Sequence, residues 1–218
     1  MKPPVLRLYG RQKTRALKPA QQELMDQLLP NISVSTSELS KKSGPILEIG
    51  FGSGEHLVHL ATQSPETFFV GCEPFINGVA ALLIEIDDKD LTNISIHHGD
   101  ARHIFDELPD GLFSAVYLLY PDPWPKKRHF KRRFIQQESL ALIHRLLVPK
   151  GKFYIASDHE TYQTWIEEHL TMDVVSATFD WSNKTTKETP WDNWTRTRYE
   201  EKAYREGRTP RYYVLNKK

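Results

Sequence analysis

Two periods of hydrophobicity alternate along this chain. Residues 19–29, PAQQELMDQLL, bring apolar side chains back at helical spacing, ahead of a polar Ser/Thr/Lys stretch at 33–43. ILEIG (46–50) is a short apolar run that predicts a buried strand, and a glycine-rich turn leads from it into a helix over HLVHLATQ (56–63). FFVGCE (68–73) predicts the next strand, GVAALLIEI (78–86) a helix, and NISIHHGD (93–100) alternates as a strand does. AVYLLY (115–120) is apolar and rich in strand formers. RRFIQQESLALIHRLL (132–147) is amphipathic, which puts Arg132 and Arg133 in the first turn of a helix. After a turn at Pro149-Lys150-Gly151 come a strand at 151–157, a helix at 160–170, and two last strands, VVSATFD (174–180) and RYYVLNK (211–217). Strands alternating with helices at this spacing predict βαβ units, hence an α/β fold with a mostly parallel sheet.

In such sheets ligands bind at the carboxyl ends of the strands, near the point where strand order reverses. The candidate chemistry falls there. Gly50, Gly52 and Gly54 follow the first strand in LEIGFGSGEH, Glu73 closes the second, and Asp100 closes the third. Glu48 lies within the first strand, where a charge is costly unless paired. A tight strand–helix turn uses glycine for structural reasons alone. The acid about 20 residues further on is what a ribose-binding site adds. NAD fits poorly, because the loop is G-F-G-S-G-E rather than G-x-G-x-x-G and the acids repel a pyrophosphate. They suit a ligand with positive charge and a ribose diol, such as S-adenosylmethionine.

Charge changes the picture at the fourth strand end. The formal net charge is only +1. Residues 1–20 nonetheless carry +6 and residues 121–133 carry +5, leaving −10 for the remaining 185. Two cationic segments on an otherwise acidic chain point to a polyanionic partner met at a defined place. The second reads YPDPWPKKRHFKRR from Tyr120. Pro121 and Pro123 restrict the backbone on both sides of Asp122. Trp124 is placed to stack on a base or to pack in a core. Lys126, Lys127, Arg128, Lys131, Arg132 and Arg133 then supply a phosphate track, with Asp122 facing the acceptor base.

Here the sequence resembles the bacterial tRNA (guanine-N7-)-methyltransferase family, through RLYGRQKTRALKPAQQELMDQLLP, LEIGFGSGEH, VGCEP, HHGDAR, YPDPWPKKRHFKRR, SDHETY and TRYEEKAYREGR. The glycine loop is common to many methyltransferases. The PDPW segment and the terminal T-x-Y-E are specific to this family. The resemblance implies a Rossmann-like class I methyltransferase fold of about seven strands, the last antiparallel, with helices on both faces. It implies S-adenosylmethionine as cofactor, and N7 methylation of a tRNA variable-loop guanosine (position 46 of the tRNA). By motif, Glu48, Gly50, Gly52, Gly54, Glu73, Asp100 and Asp122 contact the cofactor, and Asp122 is also catalytic. Lys126, Asp158, Thr197, Arg198, Tyr199 and Glu200 contact substrate; Arg128, His129, Phe130, Lys131, Arg132 and Arg133 contact RNA. Pro125 stands where many members have histidine, so no role for that imidazole transfers, and Ser53 replaces a frequent glycine.

The remaining residues narrow the alternatives. His56 and His59 lack a third convergent ligand, and His97 and His98 face opposite sides of a strand, so no metal is expected. Cys72, the sole cysteine, excludes an internal disulfide and fits a reducing cytoplasm. The longest apolar run, VAALLI, is too short to span a bilayer. The expectation is one domain over 1–218 with a basic arm at 1–20, a monomer or homodimer that binds tRNA and no membrane. Residues 181–199 read as a lid in which Trp181 fills core while Trp191 and Trp194 are open between core and base stacking. A non-catalytic RNA-binding subunit and a methyltransferase for another RNA base are the competing readings.

Overall fold

A computed structural model describes residues 15–184 and 190–218. Most of the basic arm (1–14) and residues 185–189 of the expected lid lie outside the described residues. Helices α1 (Pro19–Gln27), α2 (Leu29–Ile32) and α3 (Thr36–Leu39) lead into the alternating core. That core runs β1 (Ile46–Ile49), α4 (Glu55–Gln63), β2 (Phe69–Cys72), α5 (Ile76–Asp88), β3 (Ile94–His97), α6 (Arg102–Phe105) and β4 (Phe113–Leu119). A 3-10 helix follows at Lys127–Arg132, then α7 (Gln137–Leu146), β5 (Leu147–Ser157), α8 (Glu160–Leu170), α9 (Asp173–Ser176), β6 (Phe179–Lys184), α10 (Arg198–Arg205) and β7 (Arg211–Lys217).

The seven strands form one sheet in the order β3-β2-β1-β4-β5-β7-β6. Neighbours from β3 through β5 pair in parallel, while β7 is antiparallel to both β5 and β6. The strand order reverses between β1 and β4, which puts the crevice beside their carboxyl ends. β2 is buried along its whole length, as expected of a strand covered on both faces. One face is closed by α4 and α5 through Leu57, Val79, Leu82 and Ile86. The other is closed by α7 and α8 through Leu140, Ile143, Tyr162 and Ile166. Among the described residues no helix is long and apolar enough to cross a membrane.

Two sequence expectations need correction. The helix expected from Arg132 begins only at Gln137. Gln136 is extended, and its N–H donates to Ser139 Oγ at 3.0 Å in a capping box. Glu138 in the first turn suits the positive end of the helix, where Arg132 and Arg133 would be repelled. The strand expected at 174–180 is instead the four-residue α9 followed by β6 from Phe179. Asp173, in the first turn of α9, favours that short helix. Smaller differences have local causes. Pro30 marks the break between α1 and α2. The turn at 149–151 is a bulge within β5, with Lys150 at φ 63°.

Candidate active site

A cavity of about 550 Å³ opens at the carboxyl ends of β1, β2, β3 and β4. After β1, Gly50, Gly52 and Gly54 have φ of 73°, 60° and 84°, conformations that side-chain-bearing residues rarely adopt. The loop they form is fixed to β2. Gly52 N–H donates to Glu73 Oε2 and Phe75 N–H to Glu73 Oε1, each at 2.8 Å. Burial pushes the Glu73 carboxyl above its ordinary value despite these two bonds, and the nearby Asp122 and Glu48 push the same way. Gly78 holds the loop from α5, since a Cβ there would lie 2.1 Å from the Gly52 carbonyl oxygen. Nothing in the sequence marked Gly78 beyond its place at the start of an apolar run.

Asp100 lines the cavity beyond β3. Its Oδ1 accepts from the Arg102 amide at 3.0 Å and from Nε at 2.9 Å. Burial acts to raise this carboxyl, but the bonds from Arg102 outweigh it and hold it below the usual carboxylate range. Glu48 is elsewhere. It is buried mid-strand, with Oε2 2.8 Å from His56 Nδ1, and it is not among the cavity-lining residues. Gly54 likewise caps α4 away from the lining, where a Cβ would strike Leu82. Cys72 lines the floor, and burial pushes its thiol up, so it is no thiolate nucleophile. Among the described residues no His/Cys/Asp/Glu group is arranged to hold a metal ion.

The fourth strand end is held more firmly than the two prolines imply. Tyr120 and Trp124, two residues to either side of Asp122, have φ of 52° and 43°. Non-glycine residues in this region cost conformational energy and recur at functional sites. Asp122 is exposed at the cavity rim, and Arg132 and Trp124 line the same cavity. The Arg132 guanidinium lies 4.9 Å from the Trp124 ring centroid, and His129 meets that ring edge-on at 5.8 Å. Lys126, Lys127, Arg128 and Lys131 are exposed along the 3-10 helix and its approach. The cationic track therefore starts at the cavity mouth. Phe130 packs on Trp165, and Arg133 turns inward, only 1% exposed.

The substrate candidates near the C-terminus separate into two groups. Tyr199 is half exposed, lines the cavity and covers the glycine loop, 3.2 Å from where a Gly52 Cβ would be. Arg198, beside it, pairs with Glu55. Thr197 caps α10, its Oγ1 accepting from the Glu200 amide at 3.3 Å. Glu200 is buried and sits apart from the cavity lining. Its Oε1 accepts from Tyr212 and Tyr204 hydroxyls at 3.0 and 3.1 Å. Burial raises its carboxyl against the pull of those bonds. Asp158 Oδ2 accepts from Arg208 Nε at 2.8 Å. Trp191 and Trp194 pack edge-on against each other and against Tyr212, and Trp181 packs against the main core.

A family model described as "Putative methyltransferase" matches residues 43–211. A protein of Agrobacterium fabrum named tRNA (guanine-N(7)-)-methyltransferase is 41% identical, the match covering 95% of this chain and 93% of that one. One of Zymomonas mobilis with the same name is 41% identical over 96% and 93% of the two chains. Among solved structures, a 16S rRNA (adenine(1408)-N(1))-methyltransferase from Catenulisporales acidiphilia with its cosubstrate SAM aligns at TM-score 0.56. Identity there is 12%, over 84% of this chain and 91% of that one. An Aquifex aeolicus tRNA (m1A58) methyltransferase aligns at 0.51 with 16% identity, over 96% and 72%. At such identities these structures share the class I methyltransferase fold with this chain, and the likeness extends no further.

Proposed function

The chain belongs to the tRNA (guanine-N7-)-methyltransferase family, and we propose that it moves a methyl group from S-adenosylmethionine to N7 of a variable-loop guanosine. The observation that carries this reading is the Asp122 segment, which borders the acid-lined cavity on one side and the cationic track on the other.

The residues present fit the cofactor. The cavity has the volume of a nucleoside-sized site. Glu73 is immobilised by two backbone amides, with lone pairs left to accept from a ribose diol. The glycine loop lets a ligand approach the backbone, and Asp100 adds negative charge at the far end. Bound there, S-adenosylmethionine supplies a methyl group already activated by its sulfonium. Glu48, paired with His56, ties β1 to α4 across the two ends of the glycine loop.

Guanine N7 carries an in-plane lone pair and no proton, so the chain needs no general base before transfer. Its tasks are alignment and stabilisation of the positive charge that develops on the purine. In this reading Asp122, exposed at the rim, accepts from the base, whose N–H groups become better donors as the ring turns cationic. Asp158 and Glu200 lie outside the cavity lining, each held through one oxygen by Arg208 or by tyrosines, so reading guanine there requires the base to reach beyond the cavity or these acids to move toward it. Lys126 through Arg132 hold phosphates beside the mouth. Working as a monomer or homodimer in the cytoplasm, on tRNA, completes the reading.

The test is methyl transfer from labelled S-adenosylmethionine to unmodified tRNA, followed by digestion to nucleosides. Label recovered as 7-methylguanosine supports the proposal; label on another base, or none, refutes it. Glu73 gives a finer expectation. Because its carboxyl is raised, protonation begins at higher pH than for an ordinary glutamate. Cofactor affinity measured by calorimetry should fall as pH drops through that range, while in Glu73→Gln it should be weaker and lack this limb.

A further inference from the structure

Arg133 closes the densest run of positive charge in the chain, yet its side chain is almost wholly enclosed, 1% exposed. Three of its five N–H groups are spent on oxygens of other segments. Nε donates to the Pro123 carbonyl at 2.9 Å, Nη1 to the Thr161 carbonyl at 3.0 Å, and Nη2 to Thr161 Oγ1 at 3.0 Å. Its guanidinium carbon lies 3.7 Å from the Phe130 ring centroid, 5.0 Å from Tyr162 and 5.2 Å from Trp165. A buried cation is tolerated when acceptors and ring faces take up its charge, as three oxygens and three rings do here. The flanking segment is stitched to the same helix, with Trp165 Nε1 donating to the Ile135 carbonyl at 2.7 Å.

The partners have one thing in common. Pro123 is the residue after Asp122, Phe130 belongs to the 3-10 helix of the cationic track, and Thr161 lies in the first turn of α8, three residues after Asp158. A planar guanidinium with a fixed fork of donors sets the relative placement of such segments; a lysine ammonium, a point charge, does not.

We propose that Arg133 is a positioning residue that locks the Asp122 segment against α8 and the cationic track, and that it makes no phosphate contact with RNA. The catalytic half of this proposal rests on the reading of Asp122 given above. The structural half does not.

The test compares Arg133→Lys with Arg128→Ala, an exposed member of the track. For Arg133→Lys, kcat for tRNA methylation should fall by about tenfold to 100-fold, the cost of a small misplacement at a reacting centre. Its tRNA dissociation constant and salt dependence should match wild type. Amide exchange at Tyr120, His129 and Ile135, whose N–H groups are hydrogen-bonded on either side of Asp122 and beside Arg133, should quicken. Arg128→Ala should leave those amides protected, and should make the slope of log affinity against log salt shallower by about 0.7–0.9, as for one lost phosphate contact. If Arg133→Gln, which removes the charge that lysine keeps, instead shows the shallower slope with unchanged kcat, Arg133 is a phosphate contact and the proposal falls. Unchanged kcat with unchanged exchange also overturns it.

Should Arg133→Lys fail to fold, Thr161→Val removes the bond from Arg133 Nη2, together with the 3.1 Å bond between Thr161 Oγ1 and His159 Nδ1, and leaves the other two Arg133 bonds in place. It should give a smaller loss of kcat and faster exchange in the same amides at unaltered salt slope, and normal exchange would count against the proposal. A wild-type protein with no N7 activity would sink the functional reading, while the exchange experiment would still decide the role of Arg133.

Discussion

Asp122→Ala should lower turnover in tRNA methylation by on the order of 10²- to 10³-fold, the loss seen when one preorganised group facing developing charge is removed. Cofactor affinity should change little by comparison. The asymmetry follows from position. Glu73 and Asp100 lie deeper, against the glycine loop and the end of β3, whereas Asp122 is exposed at the rim where a base would enter. The fold also invests conformational energy at this point, with left-handed Tyr120 and Trp124 flanking the two prolines and Arg133 holding the Pro123 carbonyl. A secondary signature is expected. Asp122 is one of the charges that raise the Glu73 carboxyl, so its removal should move the acid limb of cofactor binding to lower pH. Single-turnover kinetics beside calorimetry separate the two effects, and unchanged turnover would remove Asp122 from the chemistry.

Neutralising Lys126, Lys127 and Arg128 together to alanine should weaken tRNA binding by on the order of 10²-fold near physiological salt. Log affinity against log salt should become shallower by about two to three units, if each cation holds one phosphate. All three side chains are exposed, and the track they begin runs to Arg132 at the cavity. S-adenosylmethionine carries no phosphate, so its affinity should not follow. Filter binding across a salt series checks the first outcome and calorimetry the second. An unaltered slope would place the RNA on another surface.

Much of this architecture was legible in the sequence, because the periodic signals there are strong. The helix at Glu160–Leu170 and the strand at Arg211–Lys217 coincide with their sequence patterns. The glycine turn and the acids at 73, 100 and 122 do converge on one cavity. What stayed hidden depends on tertiary partners. A terminal arginine in a basic run gives no sign that it will turn inward, since charged side chains ordinarily stay in water; Arg133 does so because Phe130, Tyr162 and Trp165 wrap it. Glu48 was marked as needing a partner, but only the fold identifies His56 as that partner and directs the pair away from the cavity. The burial of Glu200 depends on tyrosines four and twelve residues further on, and the second of these stands on β7. Backbone conformation at Tyr120 and Trp124 has no sequence signal, as neither residue type favours positive φ.

The central claim is spatial: a methyl donor site and an RNA track share one mouth, at which a single guanosine presents N7. The most direct measurement treats unmodified tRNA with this protein and S-adenosylmethionine, then applies borohydride reduction and aniline cleavage, which cut the chain at 7-methylguanosine. A single new cut in the variable loop, absent without cofactor, is the predicted result. Methylated tRNA that resists cleavage, or cuts scattered over many guanosines, would contradict the account.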